Sequence, residues 1–180
     1  MNTSPTRKIG RIIENLLAEV GPVEMGFRIQ GLAAHILLAM GLFITEVKSS
    51  GHPDIVAQSE RGSVRVEVEA DTRGIGVHLP DPDDLLALLP KSQNDSGFFA
   101  VAICSPLPKW IIIDSYKLID RKTKLSLPLL DALRNLEQSK AWSSIFEKIV
   151  LNNANQISNY TFDWLARQAI QQRCILDHYA

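Results

Sequence analysis

Cysteine is scarce: Cys104 and Cys174 are the only two in 180 residues. Neither sits at metal-ligand spacing, and no His/Cys set competes for zinc, so a disulfide framework or a zinc module is not what holds this chain together. Buried thiols in a reducing, cytoplasmic compartment are expected. Long apolar runs are missing too, so no membrane span is expected. The opening stretch MNTSPTRKIGRIIENLL has no extended apolar region and no small-residue cleavage site, so no secretory signal is expected. A strong net charge is lacking. Nineteen Lys and Arg stand against 20 Asp and Glu, a balance of −1 that gives no bulk argument for a polyanion partner. Internal repeats and low-complexity segments are absent. With 46% hydrophobic and 22% charged residues, the composition is that of an ordinary globular chain, and the length suits one domain spanning 1–180.

The charge is unevenly spread. Residues 61–100 hold four Lys/Arg against seven Asp/Glu, and 101–180 hold ten against seven. An acidic centre beside a basic flank suits a metal held next to a polyanion, and equally a solvated surface. Apolar spacing predicts a helix over Arg7–Val20, ended by Gly21-Pro22, and a buried helix over Gly26–Met40, closed by Gly41. Strands follow at Leu42–Lys48, Asp54–Gln58 and Ser63–Ala70, the last two joined by a Ser59–Gly62 turn whose glycine suits positive φ. Leu79–Pro90 reads as a short helix capped by Asp81 or Asp83. Phe98–Cys104 and Trp110–Ile113 read as central strands buried on both faces. Helices are expected over 126–150 and 155–178. The fold class is therefore α/β, a mixed central sheet flanked by helices, with a C-terminal helical part over about 126–178.

Within SVRVEVEA, alternation places Val64, Val66 and Val68 on one face and Arg65, Glu67 and Glu69 on the other. The preceding strand is joined by a short turn and runs antiparallel. Thirteen positions separate Asp54 from Glu67 with the turn halfway, so Asp54 comes to lie beside Glu67 and Glu69. Three carboxylates at one sheet end repel one another, so at least one has a raised pKa unless a cation bridges them. Hard oxygen donors of this kind suit Mg²⁺ or Mn²⁺. An exposed edge strand bearing charges against aggregation gives the same alternation. That reading predicts exposed Glu67 and Glu69 with no gathering of Asp54.

Pro53-Asp54 followed by Glu67-Val68-Glu69 resembles the PD-(D/E)XK nuclease superfamily, which includes type II restriction endonucleases and archaeal Holliday-junction resolvases. The likeness spans about residues 24–115 and implies an αβββαβ core. It implies a Mg²⁺- or Mn²⁺-dependent DNA endonuclease in which Asp54, Glu67 and the Val68 carbonyl hold the metal. A homodimer would bring two sites to two strands. The motif's usual lysine is Glu69 here, similar to some restriction enzymes. Glu69 then acts as general base or second-metal ligand, or else marks a non-catalytic nucleic-acid-binding or assembly module that keeps the fold. The family's helix glutamate has no counterpart; Gln30 and Glu24 are the nearest residues, with Glu46 a further candidate. His52 is placed to assist proton transfer or touch phosphate, and Asp71 to bind metal through water or to begin a loop. His35 reads as a core histidine. Lys117, Arg121, Lys122 and Lys124 form a basic stretch suited to phosphate contacts. Ile145, Phe146, Ile149 and Val150 suit either a dimer interface or a cover for the core.

Overall fold

The structure, a computed structural model, describes residues 4–119, 121 and 124–176. It opens on helix α1 (Pro5–Ala39), which is broken once, at Gly21, where φ is +80°. The two predicted helices are thus two arms of one element. The second begins earlier than expected, because Pro22 has no N–H to lose and suits a first helical turn. Gly41, at φ +85°, ends the second arm, donating to the Leu38 carbonyl while Leu42 N–H reaches Leu37. This paired closure satisfies carbonyls that a helix end otherwise orphans.

Strands β1 (Phe43–Val47), β2 (Ile55–Gln58) and β3 (Ser63–Asp71) follow, then a two-residue β4 (Val77–His78) and helix α2 (Pro82–Leu88). Next come β5 (Ser96–Ile103), β6 (Lys109–Asp114) and a two-residue β7 (Lys124–Leu125). Helices α3 (Leu127–Leu133), α4 (Leu136–Asn152) and α5 (Phe162–Ile170) complete the described chain. The main sheet has the order β1-β2-β3-β5-β6. The β3–β5 pair is parallel and the other pairs antiparallel, so the sheet is mixed. β4 and β7 form a separate small sheet that the sequence pattern did not reveal.

Alternation along the strands divides the core. Val64, Val66, Val68, Ala100, Ala102, Trp110 and Ile112 pack against α1, α4 and α5. Phe99, Val101, Ile103, Ile111 and Ile113 pack on the other face with Leu88, Leu125, Leu130 and Leu133. Phe146, Ile149 and Val150 are buried in the α1-side core, and half-buried Ile145 packs against it, so these residues cover the sheet. Among the described residues no helix is long and apolar enough to cross a membrane.

Several local expectations are corrected. Trp110–Ile113 is an edge strand, β6. Its run is apolar because both faces are covered, and its outer edge is sealed by side chains. Trp110 N–H donates to Ser143 Oγ and Ile112 N–H to Ser139 Oγ, each at 2.9 Å, while Asn135 N–H reaches the Ile112 carbonyl. The other edge, β1, is closed by Gln172, whose amide takes the Ile44 N–H at 3.0 Å and donates to the Ile44 carbonyl at 2.7 Å. Gly62 is not in the left-handed region. Its lack of a side chain matters because a Cβ there would meet the Asn94 carbonyl oxygen at 2.3 Å. Asp81 stands at the start of α2 without a side-chain cap bond. The helix expected over 126–150 breaks at Asn135, whose side chain accepts from Gln138 N–H to begin α4. The one expected over 155–178 shortens to α5, begun by Thr161.

Candidate metal and phosphodiester site

β2 and β3 pair from Gln58–Ser63 to Ile55–Val66. One step further Asp54 faces Glu67, and here the ladder gives way to side chains. Asp54 Oδ2 accepts the Val68 N–H at 2.8 Å, and the Asp54 N–H exerts a lowering pull on the Glu67 pKa. Lys48 N–H holds the Asp54 carbonyl at 2.8 Å. An aspartate at this strand start therefore stands in for the missing strand partner. β3 itself stays paired to β5, with Glu67 opposite Phe99 and Glu69 opposite Val101. The result is a cavity of about 260 Å³. Gln30 and Phe27 of α1, His52 of the β1–β2 turn, Asp54, and Glu67–Ala70 contribute to its wall.

Burial dominates the electrostatics. Glu67 is only 5% exposed. Burial, then the charge of Glu67, pushes Asp54 from 3.8 to about 7, against the opposing pull of the Val68 N–H. Burial also carries Glu67 from 4.5 to about 7, with Glu69 and Asp84 adding repulsion. Glu69 moves upward for the same first reason, opposed by His78. No Lys or Arg forms an ion pair with these three carboxylates among the described residues. The partner of Glu67 is His52, whose Nδ1 lies 2.5 Å from Oε1 and whose Nε2 lies 3.2 Å from Asp84 Oδ2. The exposed-edge reading fails on both counts, since Glu67 is buried and Asp54 is gathered with the glutamates.

The other predicted residues divide sharply. Gln30 lines the cavity, and its amide N–H donates to the Lys48 carbonyl, a bond that does not use the amide oxygen. Glu24 does not line it and is ion-paired with Arg28 at 3.0 Å. Glu46 pairs with Lys48 on the surface. His35 is a core residue, its ring nitrogens bonded to the Leu165 carbonyl and the Ile175 N–H. Asp71 organises a loop: its carboxylate accepts from the N–H groups of Arg73, Gly74, Ile75 and Gly76. Both cysteines are buried and neither forms a disulfide among the described residues.

The basic stretch is only partly near the cavity. Asp114 pairs with Phe98, so Lys117 leaves the sheet at the end opposite to Glu69, and it is spent on Asp114 at 3.3 Å. Arg121 lines an apolar groove with Leu79, Leu86 and Ile119. Lys124 pairs in register with His78 on the small sheet. Lys122 lies outside the described residues. Sequence reasoning missed Asp84 and His78. Asp84 stands in the acidic run Asp81–Asp84, but nothing in that run marks which member turns to the site.

The donor set fits a hard divalent cation: three carboxylates and an amide oxygen, with no sulfur among them. As placed, no three of the described His, Cys, Asp and Glu side chains are gathered closely enough to hold an ion. Asp54 is turned onto Val68 and Glu67 onto His52, so sharing a cation requires these carboxylates to turn inward. Comparison with family models, curated proteins and solved structures finds no match to the chain.

Proposed function

We propose that this chain is a metal-dependent endonuclease of the PD-(D/E)XK type, a Glu-x-Glu variant that hydrolyses DNA phosphodiesters. One observation carries the reading. Asp54, Glu67 and Glu69 meet in one cavity, their pKa values driven up by burial, and no Lys or Arg among the described residues pairs with them. Such an arrangement is costly without a cation to offset it. The order of elements supports the reading: the second arm of α1, β1, β2, β3, α2 and β5 run in the αβββαβ sequence of such a core, with the two-residue β4 inserted before α2 and β6 added after β5.

Asp54 and Glu67 are the metal ligands in this reading, with the Val68 carbonyl and the Gln30 amide oxygen as further donors. A bound Mg²⁺ or Mn²⁺ would supply an acidified water and charge neutralisation at the phosphate. Glu69, whose pKa burial raises above the ordinary carboxylate value, is suited to accept a proton from an attacking water. His52 holds Glu67 and links it to Asp84 on α2, orienting the carboxylate. A homodimer would present two such sites to a duplex.

A second reading, a non-catalytic module that binds nucleic acid, is favoured by Glu69 standing where lysine is usual and by the pairing of Glu24 with Arg28 away from the cavity. Plasmid and branched DNA incubated with Mg²⁺ or Mn²⁺ separate the two. Cutting by wild type that is lost in Asp54→Ala and in Glu69→Ala supports the nuclease. DNA binding without cutting on either substrate supports the module.

A further inference from the structure

The sheet end that carries the acid cavity also carries a set of cations drawn from two distant parts of the chain. Asp71 pairs with Ile103, and Ile103 with Lys109, so β3, the 104–108 link and the start of β6 share this end. Two close approaches bring further elements onto the link. A Cβ at Gly10 would lie 3.8 Å from both Pro106 O and Pro108 Cδ, so the first arm of α1 rests there. Arg7 and Arg11 lie about 60° and 100° round the helix from Gly10, on its exposed flank. At Gly74, φ +70°, a Cβ would lie 2.9 Å from Ser105 O, so the loop holding Arg73 also rests against the link.

Arg7, Arg11 and Arg73 are exposed, and none is ion-paired with a described residue. Lys109 stands at the same sheet end but is spent on Asp131 at 3.2 Å, as Arg134 is, so the available charge is that of the three arginines. Glu14 is the acidic residue on the same flank of the arm, one turn on from Gly10. An acidic cavity by itself repels a phosphodiester chain, so a flank of unpaired arginines is what lets a polyanion settle beside it.

We infer that Arg7, Arg11 and Arg73 form a rim that holds the phosphate backbone of a nucleic-acid strand as it runs past the acid cavity. The ligand's identity rests on the hydrolase reading above. The spacing suits it. Two strand separations place the start of β6, beside which the arm bearing Arg7 and Arg11 rests, on the order of 10 Å across the sheet from β3, about three phosphates of one DNA strand at ~3.4 Å of axis each. The rim takes the role that the sequence assigned to 117–124.

The test is fluorescence anisotropy of labelled duplex and branched DNA with metal-free protein in EDTA, across a range of KCl concentrations. The variant Arg7→Gln/Arg11→Gln/Arg73→Gln should lower the slope of log K against log salt by about 2.7, at ~0.9 for each duplex phosphate no longer neutralised. Arg61→Gln/Lys91→Gln removes two exposed cations away from the rim and should leave the slope as in wild type, and both variants should melt as wild type does. An unchanged slope in the triple variant, or an equal fall in the control, overturns the rim. So does binding to phosphatidylserine vesicles with none to DNA. Wild type that binds with the expected slope but never cuts overturns the hydrolase and keeps the rim. Asp54-dependent cutting with a slope indifferent to the three arginines overturns the rim alone.

Discussion

Metal-free protein should lose stability as the pH rises from 5 to 8, and Asp54→Asn should remove much of that loss. A carboxyl whose folded-state pKa lies above its unfolded value binds its proton more tightly when folded. Its contribution is neutral when both states are protonated. Stability then falls as pH rises from the unfolded value to the folded one and stays reduced above it. For Asp54 that window runs from 3.8 to about 7, and for Glu67 from 4.5 to about 7. At about 1.4 kcal/mol per pH unit, Asp54 alone accounts for ~4 kcal/mol over the whole window, of which about 3 kcal/mol falls between pH 5 and 7. Glu67 does not simply double this, because the two repel and titrate as a coupled pair. Against a total of about 5–15 kcal/mol for an ordinary domain, the effect is large. Asp95 does not confuse the reading. Backbone N–H groups, Ser63 first, hold its pKa down, so its contribution is lost only as pH falls below the window. The assay is urea denaturation in EDTA at pH 5, 6, 7 and 8. Asn at position 54 keeps an oxygen for the Val68 N–H, so the variant tests charge and not the bond. Mg²⁺ should raise the midpoint more at pH 8 than at pH 5, because only ionised carboxylates attract it. A wild-type midpoint that is flat or rises from pH 5 to 8, or an Asp54→Asn variant with the wild-type slope, refutes the reasoning.

Four further outcomes are expected. Asp71→Ala leaves four loop N–H groups without their acceptor and should cost about 3 kcal/mol in chemical denaturation, with faster amide exchange over 73–76. Gln172→Ala uncovers the Ile44 N–H and carbonyl on the β1 edge and should cost about 1–2 kcal/mol, read by urea midpoint, while Ser139→Ala strips a buried Ile112 N–H and should cost about 1–3 kcal/mol. Gly97→Ala drives a Cβ to 1.9 Å from the Leu88 carbonyl oxygen, displacing α2 from β5; a thermal midpoint within error of wild type would contradict that packing.

Local chemistry was legible in the residues alone. The Gly21-Pro22 break, the alternation of Ser63–Ala70 and the meeting of Asp54 with Glu67 and Glu69 all follow from short-range rules. A four-residue turn sets the β2–β3 register, and a period of two then assigns every side chain to a face. The tertiary structure decided the rest. Apolar composition reports that both faces of β6 are covered, but not that Ser139 and Ser143 cover its edge, because a strand's place in a sheet depends on pairing with segments far away. Asp84 meets His52 and His78 acts on Glu69 only because the chain between β3 and β5 returns over the sheet, and such contacts leave no periodic mark in the sequence. The same holds for Arg7, Arg11 and Arg73. They are ordinary surface residues until α1 and the 72–76 loop both close onto the Ser105–Pro108 link, and that closure is a property of packing, not of spacing.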